Sequence, residues 1–225
     1  MKVALCFSGL PRFVKETYPY WKKCLLDPYQ PDVFIHTWRQ KTDYTELLHT
    51  FYSPIGLATE TPKQYDTSIY NEERGIQWPF RTSHQTQISQ YTGIKKSLQL
   101  RQNWEDHNGF KYDIVIRARF DWFLEKANLE INDYINIAHT PTLKGHRFMF
   151  CDKEYLGISD QFAYGSSDNM TVYSTLVDNL PTLYKDYKID FCGELFLKSH
   201  LVYHKIDVKE HQWKNGIVRD WGVMP

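Results

Sequence analysis

The sequence predicts an α/β protein: a single domain with a mostly parallel central sheet flanked by helices. Two observations predict this class. Short apolar runs alternate with segments of helical periodicity through the first half of the chain, which is the pattern of units with parallel strands. The chain has 225 residues, of which 42 % are hydrophobic and 16 % aromatic, so it can form one large core.

The first strand and the first helix open the chain. Val3–Phe7 is a short apolar run, and we predict that the helix after it covers Val14–Leu26. We expect Pro28 and Pro31 to end that helix, because proline cannot donate the backbone hydrogen bond that a helix interior needs. Asp32–Ile35 is the second short strand.

The middle of the chain combines an irregular region with a long helix and a third strand. Residues 39–80 contain several prolines and little periodicity, so we predict one helix there, over Tyr44–Phe51. Ser83–Glu105 has apolar residues at the i, i+3, i+4 spacing of a helix that faces the core. Residues 113–119, DIVIRAR, predict a buried strand that ends in charged residues.

The second half of the chain is more mixed in its predicted structure. A helix there is expected to begin at a serine cap, either Ser166 or Ser167. The predicted elements are a strand over Arg147–Phe150, a loop leading into a strand over Ile158–Gly165, a helix over Ser167–Leu176, a helix over Phe191–His204 and a short strand from Val208.

The charge balance of the chain bears on its partners. The sequence contains 27 Lys and Arg residues and 27 Asp and Glu residues, so its formal net charge at pH 7 is zero. A chain without net charge is not attracted as a whole to nucleic acid or to an anionic membrane surface. We therefore expect no nucleic-acid partner, while a local basic site is compatible with this balance.

The cysteines and the hydrophobic segments indicate the compartment. The four cysteines form no C-x-x-C pair and have no zinc-like spacing. The apolar run near residue 3 is shorter than the core of a signal peptide, and no segment reaches the roughly 18 apolar residues of a membrane helix. We expect a soluble, cytoplasmic protein with no membrane span.

Polar side chains follow three of the predicted strands, at the point where each strand ends. In an open parallel sheet, the carboxyl ends of neighbouring strands meet at one edge, where ligands bind. If the three strands are neighbours, one crevice collects Ser8, Gly9 and Arg12 from the first, His36, Thr37 and Trp38 from the second, and Arg117, Arg119 and Asp121 from the third.

The chemistry of these residues suits a nucleotide. Gly9 lets a backbone approach a ligand closely, and the Arg12 guanidinium matches the geometry of a phosphate. Trp38 offers an aromatic face. Asp121 is the kind of ligand that Mg²⁺ and Mn²⁺ prefer when a diphosphate supplies further oxygens.

Each of these features also has a structural interpretation. Residues 8–11 are compatible with a plain turn, and His36 is compatible with a buried, hydrogen-bonded core residue. Arg117 and Asp121 are compatible with a structural ion pair. The convergence of three strand ends is what favours a binding site over these separate explanations.

Four blocks of sequence carry a resemblance to a known family: KVALCFSGLPR, DVFIHTW, YDIVIRARFDWF and ISDQFAYGSSDNM, in this order. They resemble a small family of nucleotide-sugar glycosyltransferases from large DNA viruses and bacterial surface-polysaccharide loci, which includes the chlorella-virus capsid type. The resemblance covers residues 2–204 and is weakest over residues 39–80. It implies one GT-A domain over 1–225, with a nucleotide-binding part over 1–123 and a sugar and acceptor part over 124–225.

The resemblance also implies an activity. Such an enzyme is a hexosyl- or deoxyhexosyltransferase that moves a sugar from a UDP- or GDP-linked donor to a glycan or to a protein-linked glycan acceptor. The implied process is glycan biosynthesis. If the source is a virus, the expected compartment is the cytoplasm of its host.

Enzymes with the GT-A fold end a strand in an Asp-x-Asp motif, whose last Asp binds the metal that bridges the diphosphate. The matching position here reads Arg119-Phe120-Asp121. Asp121 matches the metal ligand, so the resemblance implies Mn²⁺ or Mg²⁺ there, whereas Arg119 departs from the motif. If arginines supply the positive charge instead, no metal is needed. Both arrangements neutralise the charge that builds on the departing nucleoside diphosphate.

The remaining candidates are expected to face the sugar and the acceptor. The resemblance places the ISDQF loop there, so Asp160 would bind sugar hydroxyls or act as a general base, and Gln161 would orient the sugar. Glu194 is the alternative base, and it is also a favourable residue for the first turn of a helix. Tyr91, on the long helix, would lie against the donor or in the core.

Two other functions compete with this hypothesis. A sulfotransferase-like or other phosphonucleotide-binding transferase needs a phosphate loop such as G-x-x-x-x-G-K-[ST], which the sequence lacks. A non-catalytic carbohydrate-binding protein would use the 16 tyrosines and seven tryptophans to stack on sugars, but such modules are usually all-β.

Overall fold

The computed structural model describes residues 1–70, 83–139, 157–219 and 222–224. Within these ranges the strands are short, as expected for buried strands of an α/β sheet. They are β1 (Val3–Ser8), β2 (Asp32–Trp38), β3 (Gly56–Glu60), β4 (Ile114–Ala118), β5 (Trp122–Leu124), β6 (Ile135–Ala138), β7 (Phe162–Gly165), β8 (Val208–His211), β9 (Asn215–Arg219) and β10 (Gly222–Met224).

Helices cover both faces of the sheet and form much of the chain between the strands. In the described ranges none of them combines the length and the apolar character that a membrane crossing requires. The helices of eight residues or more are α1 (Val14–Trp21), α2 (Thr45–Tyr52), α3 (His84–Asn108), α4 (Ser167–Ser174), α5 (Leu176–Lys185) and α6 (Gly193–Tyr203).

The main sheet has seven strands in the order β3-β2-β1-β4-β7-β6-β8. β3, β2, β1 and β4 are parallel neighbours. β7 runs antiparallel to both β4 and β6, and β8 is parallel to β6. The predicted class, an α/β fold with a mostly parallel central sheet flanked by helices, is therefore confirmed.

The core lies on both faces of this sheet. Val3, Leu5 and Phe7 of β1 pack with α1 and α2 on one face. Ala4 and Cys6 point to the other face, where they pack with α3, α4, α5 and α6. Side chains of a strand point alternately to the two faces, so a strand buried on both sides becomes a continuous apolar run.

Serine caps fix where two helices begin. The Thr86 N–H donates to Oγ of Ser83 at 3.1 Å, and the Asn169 N–H donates to Oγ of Ser166 at 3.2 Å. α3 ends at Gly109, whose φ of +66° is the left-handed conformation that favours glycine. Of the two predicted caps for α4, the structure therefore uses Ser166.

The first helix is longer than predicted. The chain stays helical through a π-helical turn, Lys22–Leu26, and a last turn, Asp27–Tyr29. The prediction that Pro28 ends the helix was wrong, because Pro28 lies within the helical segment Asp27–Tyr29, next to the π-helical turn. Pro31 follows the true end, at which Gln30 has a φ of +45°.

Several elements were not predicted from the sequence. They include β3 in the region treated as irregular, β6, and α5, which follows α4 after the single residue Thr175. A second sheet with the order β10-β9-β5 was also missed. The predicted strand Arg147–Phe150 lies outside the described residues.

Candidate functional site

A cleft of about 430 Å³ opens at the carboxyl ends of β1, β2 and β4, beside the first turns of α3. The three strands are neighbours in the order β2-β1-β4, as the convergence of their polar ends requires. The sequence-predicted residues that line this cleft are Ser8, Gly9, Arg12, Trp38, Arg117, Arg119 and Asp121.

The end of β1 bends away from the sheet at Gly9. Its φ is +109°, a conformation that glycine adopts without strain, and a Cβ built there would meet no atom within 4 Å. The Gly9 N–H donates to the backbone oxygen of His36 at 3.3 Å, which ties the ends of β1 and β2 together. The glycine is therefore needed for the turn itself, and the turn opens the space above it.

His36 and Thr37 do not line the cleft. The His36 ring is fully buried, lies edge-on to Trp38 with 4.7 Å between the ring centroids, and has Nε2 3.5 Å from Oε1 of Glu60. Burial lowers the pKa of His36 to about 4, against the opposing attraction of Glu60, so the ring is neutral at pH 7. Thr37 is also buried and lines a neighbouring pocket of about 240 Å³. Of the two interpretations of His36, the structure favours the core residue, although neither ring nitrogen has a hydrogen-bond partner among the described residues.

Arg117 is a buried cation to which no counter-ion is bonded among the described residues. Its side chain leaves β4 on the same face as Val115, towards α3, and is 1 % exposed. Nε and Nη1 of Arg117 have no hydrogen-bond partner in the part of the chain that the structure describes. The ion pair with Asp121 that the sequence left open does not form. A buried guanidinium with unused donors costs free energy unless an anionic ligand completes it.

Asp121 is bonded to two other arginines. Arg119 Nε and Nη2 donate to its two carboxylate oxygens at 2.8 and 2.7 Å, and Arg219 Nη1 donates to Oδ2 at 2.9 Å. Burial acts to raise the pKa of Asp121, but the two guanidinium groups outweigh it and hold that pKa below its ordinary value. The carboxylate is therefore ionised and already occupied by cations.

Arg219, which is bonded to the cleft-lining Asp121, is a neighbour of the site that the sequence reasoning missed. It ends β9, which pairs with β5 directly after Asp121, and the Val218 N–H donates to the backbone oxygen of Asp121 at 2.8 Å. β5 has three residues and β9 has five, and 98 positions separate Arg219 from Asp121. Strands this short give no periodic signal that could have joined them in advance.

The divalent cation that the resemblance implies does not fit the described side chains as they stand. Both oxygens of Asp121 accept hydrogen bonds from guanidinium groups. Within the described ranges, no cluster of three His, Cys, Asp or Glu residues could hold a metal ion. Mg²⁺ and Mn²⁺ sites are built from several oxygen ligands, so a protein-held metal here would first require the arginines to move.

Asp160 lies next to the cleft wall, in the loop before β7. It is 8 % exposed, and its Oδ2 accepts hydrogen bonds from the side chain of Gln90, which lines the cleft, and from the Tyr91 hydroxyl at 3.2 Å. Among the described residues, Oδ1 has no partner. Burial acts to lower the pKa of Arg119, and Asp121 followed by Asp160 raises it. Asp160 is thus close enough to influence the cationic end of the cleft.

Tyr91, Gln161 and Glu194 do not line the cleft. Tyr91 is buried on α3, and burial together with Asp160 raises the pKa of its hydroxyl. Gln161 follows Asp160, and its buried Oε1 has no partner among the described residues. Glu194 is in the first turn of α6, where the Cys192 thiol donates to Oε2 at 3.1 Å. Asp160 is therefore the predicted carboxylate nearer to the cleft.

The opposite wall comes from residues that were not singled out as site residues. Segment 62–64 lines the cleft there, and Gln85 of α3 holds it by donating to the Lys63 oxygen and accepting from the Tyr65 N–H at 2.9 Å. In the described lining, four cations face one carboxylate: Arg12, Lys63, Arg117 and Arg119 against Asp121. This excess of positive charge suits a polyanionic ligand.

Comparison with known proteins leaves the family open. No protein-family model matches the sequence, and no curated protein matches it. The glycosyltransferase family named in the sequence analysis therefore remains a prediction that rests on the residues of this chain.

Proposed function

We propose that the protein is a glycosyltransferase that moves a sugar from a UDP- or GDP-linked donor to a hydroxyl of a glycan or protein-linked glycan. One observation carries the proposal: Arg117 is buried at the end of a central strand, lines the cleft, and has Nε and Nη1 without partners among the described residues. An oxyanion of a diphosphate supplies the acceptors that this guanidinium lacks.

The shape and chemistry of the cleft support a nucleotide donor. The diphosphate lies against Arg117 and Arg119, at the carboxyl end of β4, and Lys63 adds charge from the facing wall. The nucleoside lies towards Trp38 and Gly9, where an aromatic ring and an open backbone turn are available. Ligands of open α/β sheets bind at this edge of the sheet.

In the reaction, the acceptor hydroxyl forms a bond to the anomeric carbon while the bond from that carbon to the diphosphate oxygen breaks. The electron pair of the broken bond remains on the diphosphate, and Arg117 and Arg119 stabilise the added negative charge. Asp160 takes the proton of the acceptor hydroxyl through Oδ1, which has no partner within the described ranges, while Gln90 and Tyr91 hold Oδ2.

A nucleotide panel tests the proposal. The melting temperature is measured with UDP, GDP, CMP and the phosphonucleotide PAPS, each with Mn²⁺ and with EDTA. A ligand at about 100 times its dissociation constant adds about 2.7 kcal/mol to the free energy of unfolding, so UDP or GDP should raise the melting temperature. A rise with PAPS alone would favour the phosphonucleotide-binding transferase, and no rise with any nucleotide would contradict the proposal.

A second experiment assigns the base. Once a donor is identified by the panel, Asp160→Asn should lower turnover by about a hundredfold or more, while donor affinity changes little. Glu194→Gln is the matched comparison, because Oε2 of Glu194 accepts from the Cys192 thiol, whereas Oδ2 of Asp160 accepts from the cleft-lining Gln90, and it should lower turnover much less. The opposite ranking would transfer the role of base to Glu194.

A further inference from the structure

Resting on the proposed function, we propose that the pair of arginines bonded to Asp121 takes the place of a divalent cation in binding the diphosphate. In this assignment, Asp121 is a positioning residue: it holds Arg119 and Arg219, and the two guanidinium groups contact the ligand. The term Asp121 clamp is used below for Asp121, Arg119 and Arg219.

The bonding within the Asp121 clamp leaves donors for a ligand. An arginine has five N–H donors in a planar fork. Arg119 uses Nε and Nη2 on Asp121, and Arg219 uses Nη1. Among the described residues, Nη1 of Arg119 and both Nε and Nη2 of Arg219 have no hydrogen-bond partner. The arginine side chains are 26 % and 28 % exposed, so neither is sealed in the core.

Two residues of the clamp, Arg119 and Asp121, line the cleft. Phe120, between them, lines it as well, and its buried ring stacks on Phe7 with 4.9 Å between the centroids. This stacking anchors the chain between the two clamp residues. β9 brings Arg219 to the same carboxylate through its pairing with β5.

The net positive charge of the Asp121 clamp suits the binding of a diphosphate. Two guanidinium groups and one carboxylate leave a single positive charge in the Asp121 clamp, since arginine stays protonated in proteins. Arg117, which lines the same cleft, adds another. Together the clamp and Arg117 carry the formal charge of one Mg²⁺ or Mn²⁺ ion, and Arg12 and Lys63 of the same cleft add to it.

A divalent cation at the same position would be opposed by these residues. To coordinate it, Asp121 would have to release the bidentate bond from Arg119, and no second carboxylate of the described residues lines the cleft to share the ion. The cation would also be repelled by the guanidinium groups at a few ångströms. Arg119, the residue that departs from the Asp-x-Asp pattern, is thus part of the binding site.

Calorimetric titration of the whole protein with UDP and with GDP tests the inference. We expect the affinity for the nucleoside diphosphate to differ by less than about twofold between EDTA and Mn²⁺, because the clamp supplies the charge. Arg219→Gln should weaken diphosphate binding by about tenfold or more, since a charge-assisted contact is lost. Binding of UMP or GMP, which lack the second phosphate, should change much less.

Controls separate this inference from its alternatives. Lys214→Gln removes an exposed cation just before β9 that pairs with Glu125 instead, and it should leave both affinities unchanged. Arg219→Lys keeps the charge, so it serves as a second variant if Arg219→Gln does not fold. Its affinity for the nucleoside diphosphate should lie between those of Arg219→Gln and the unchanged protein. Asp121→Asn should weaken diphosphate binding equally in EDTA and in Mn²⁺.

The outcomes are distinguishable. Diphosphate binding that appears only with Mn²⁺, and that Asp121→Asn abolishes, would overturn the clamp and leave the glycosyltransferase proposal standing. An unchanged affinity of Arg219→Gln would also overturn the clamp. Failure of both UDP and GDP to bind under either condition would overturn the proposed function and the clamp together.

Discussion

The hydroxyl of Tyr91 lies 3.2 Å from Oδ2 of Asp160, so the longest helix of the protein holds the carboxylate proposed as the base. Tyr91 itself is enclosed, and the start of α6 packs against its ring at Gly193. The position of Asp160 therefore depends on packing between α3 and α6, outside the cleft. Two of the predictions below follow from this relationship.

The first prediction concerns the Tyr91 hydroxyl. Tyr91→Phe removes one of the two hydrogen bonds to Oδ2 of Asp160, so turnover should fall by about tenfold while nucleotide affinity stays within about twofold. Tyr173→Phe is the matched control, because the buried Tyr173 hydroxyl has no partner among the described residues. Steady-state kinetics and calorimetry would measure both variants, and equal effects of the two would contradict the prediction.

The second prediction uses two glycines that differ in the space around them. A Cβ at Gly193 would lie 2.8 Å from the Tyr91 hydroxyl oxygen, whereas a Cβ at Gly93 would have its nearest contact at 3.5 Å, with Nδ1 of His36. Gly193→Ala should lower the free energy of unfolding by about 1–3 kcal/mol through overpacking. Gly93→Ala, inside α3, should raise it by about 0.5–1 kcal/mol. Urea denaturation measures the free energy of unfolding of both variants. If Gly193→Ala were the more stable of the two, the Tyr91 side chain would move aside easily.

The third prediction compares two buried arginines. Arg101 Nη1 donates to Glu105 and to Ser167 Oγ, the latter at 2.6 Å, whereas two nitrogens of Arg117 have no partner in the described chain. Arg101→Met should lower the free energy of unfolding by about 3–5 kcal/mol, because it leaves Glu105 buried without its cation.

Arg117→Met, in contrast, should leave the free energy of unfolding unchanged or raise it, because the buried charge of Arg117 has no counter-ion bonded to it in the described part of the chain. The same variant should abolish the rise in melting temperature with UDP or GDP. A strongly destabilised Arg117→Met protein would show instead that Arg117 is a structural residue.

The fourth prediction concerns stability in mild acid. Burial lowers the pKa of His36 and of His200 to about 4 in the folded protein, whereas a histidine in the unfolded chain has a pKa of about 6.5. The unfolded state therefore binds more protons below about pH 6.5, and stability falls as the pH falls. Between pH 7 and pH 5, each histidine should remove roughly 2 kcal/mol from the free energy of unfolding.

His200→Gln checks this prediction. Nε2 of His200 donates to the backbone oxygen of Val172 at 2.8 Å, a bond that the amide nitrogen of glutamine can replace. The variant should lose roughly 2 kcal/mol of the fall in the free energy of unfolding between pH 7 and pH 5. His49→Gln, at an exposed position on α2, is the control and should keep all of it. An unchanged slope in His200→Gln would mean that His200 is not the group that titrates.

Much of the cleft wall at the strand ends followed from the sequence. The apolar runs of β1, β2 and β4 predicted buried parallel strands, and polar residues at their ends predicted a common edge. Arg117 and Asp121 were placed there correctly, but their bonding was not, because alternation along a strand says which face a side chain takes and not which partner it meets. Pairing Asp121 with Arg219 required contacts across 98 positions of chain.

The facing wall was beyond the reach of sequence reasoning for a different reason. Lys63 and Gln64 are in a stretch without regular structure, and Gln85 holds it through backbone atoms, whose positions no residue pattern reports. Similarly, Asp160 was named from its motif, whereas Gln90 became important only once α3 was packed against β1 and β2.

The strand pairing around Arg117 has a consequence for the thermodynamics of binding. Its Cα lies opposite Cys6 on one side and Ala163 on the other, so neither neighbouring strand can shift without breaking a ladder of hydrogen bonds. The backbone that carries the guanidinium is thus preorganised. The conformational entropy of that backbone is lost during folding, and not when a ligand binds. The amides around it should be among the slowest of the molecule to exchange their hydrogens with solvent, with the nucleotide absent as well as bound.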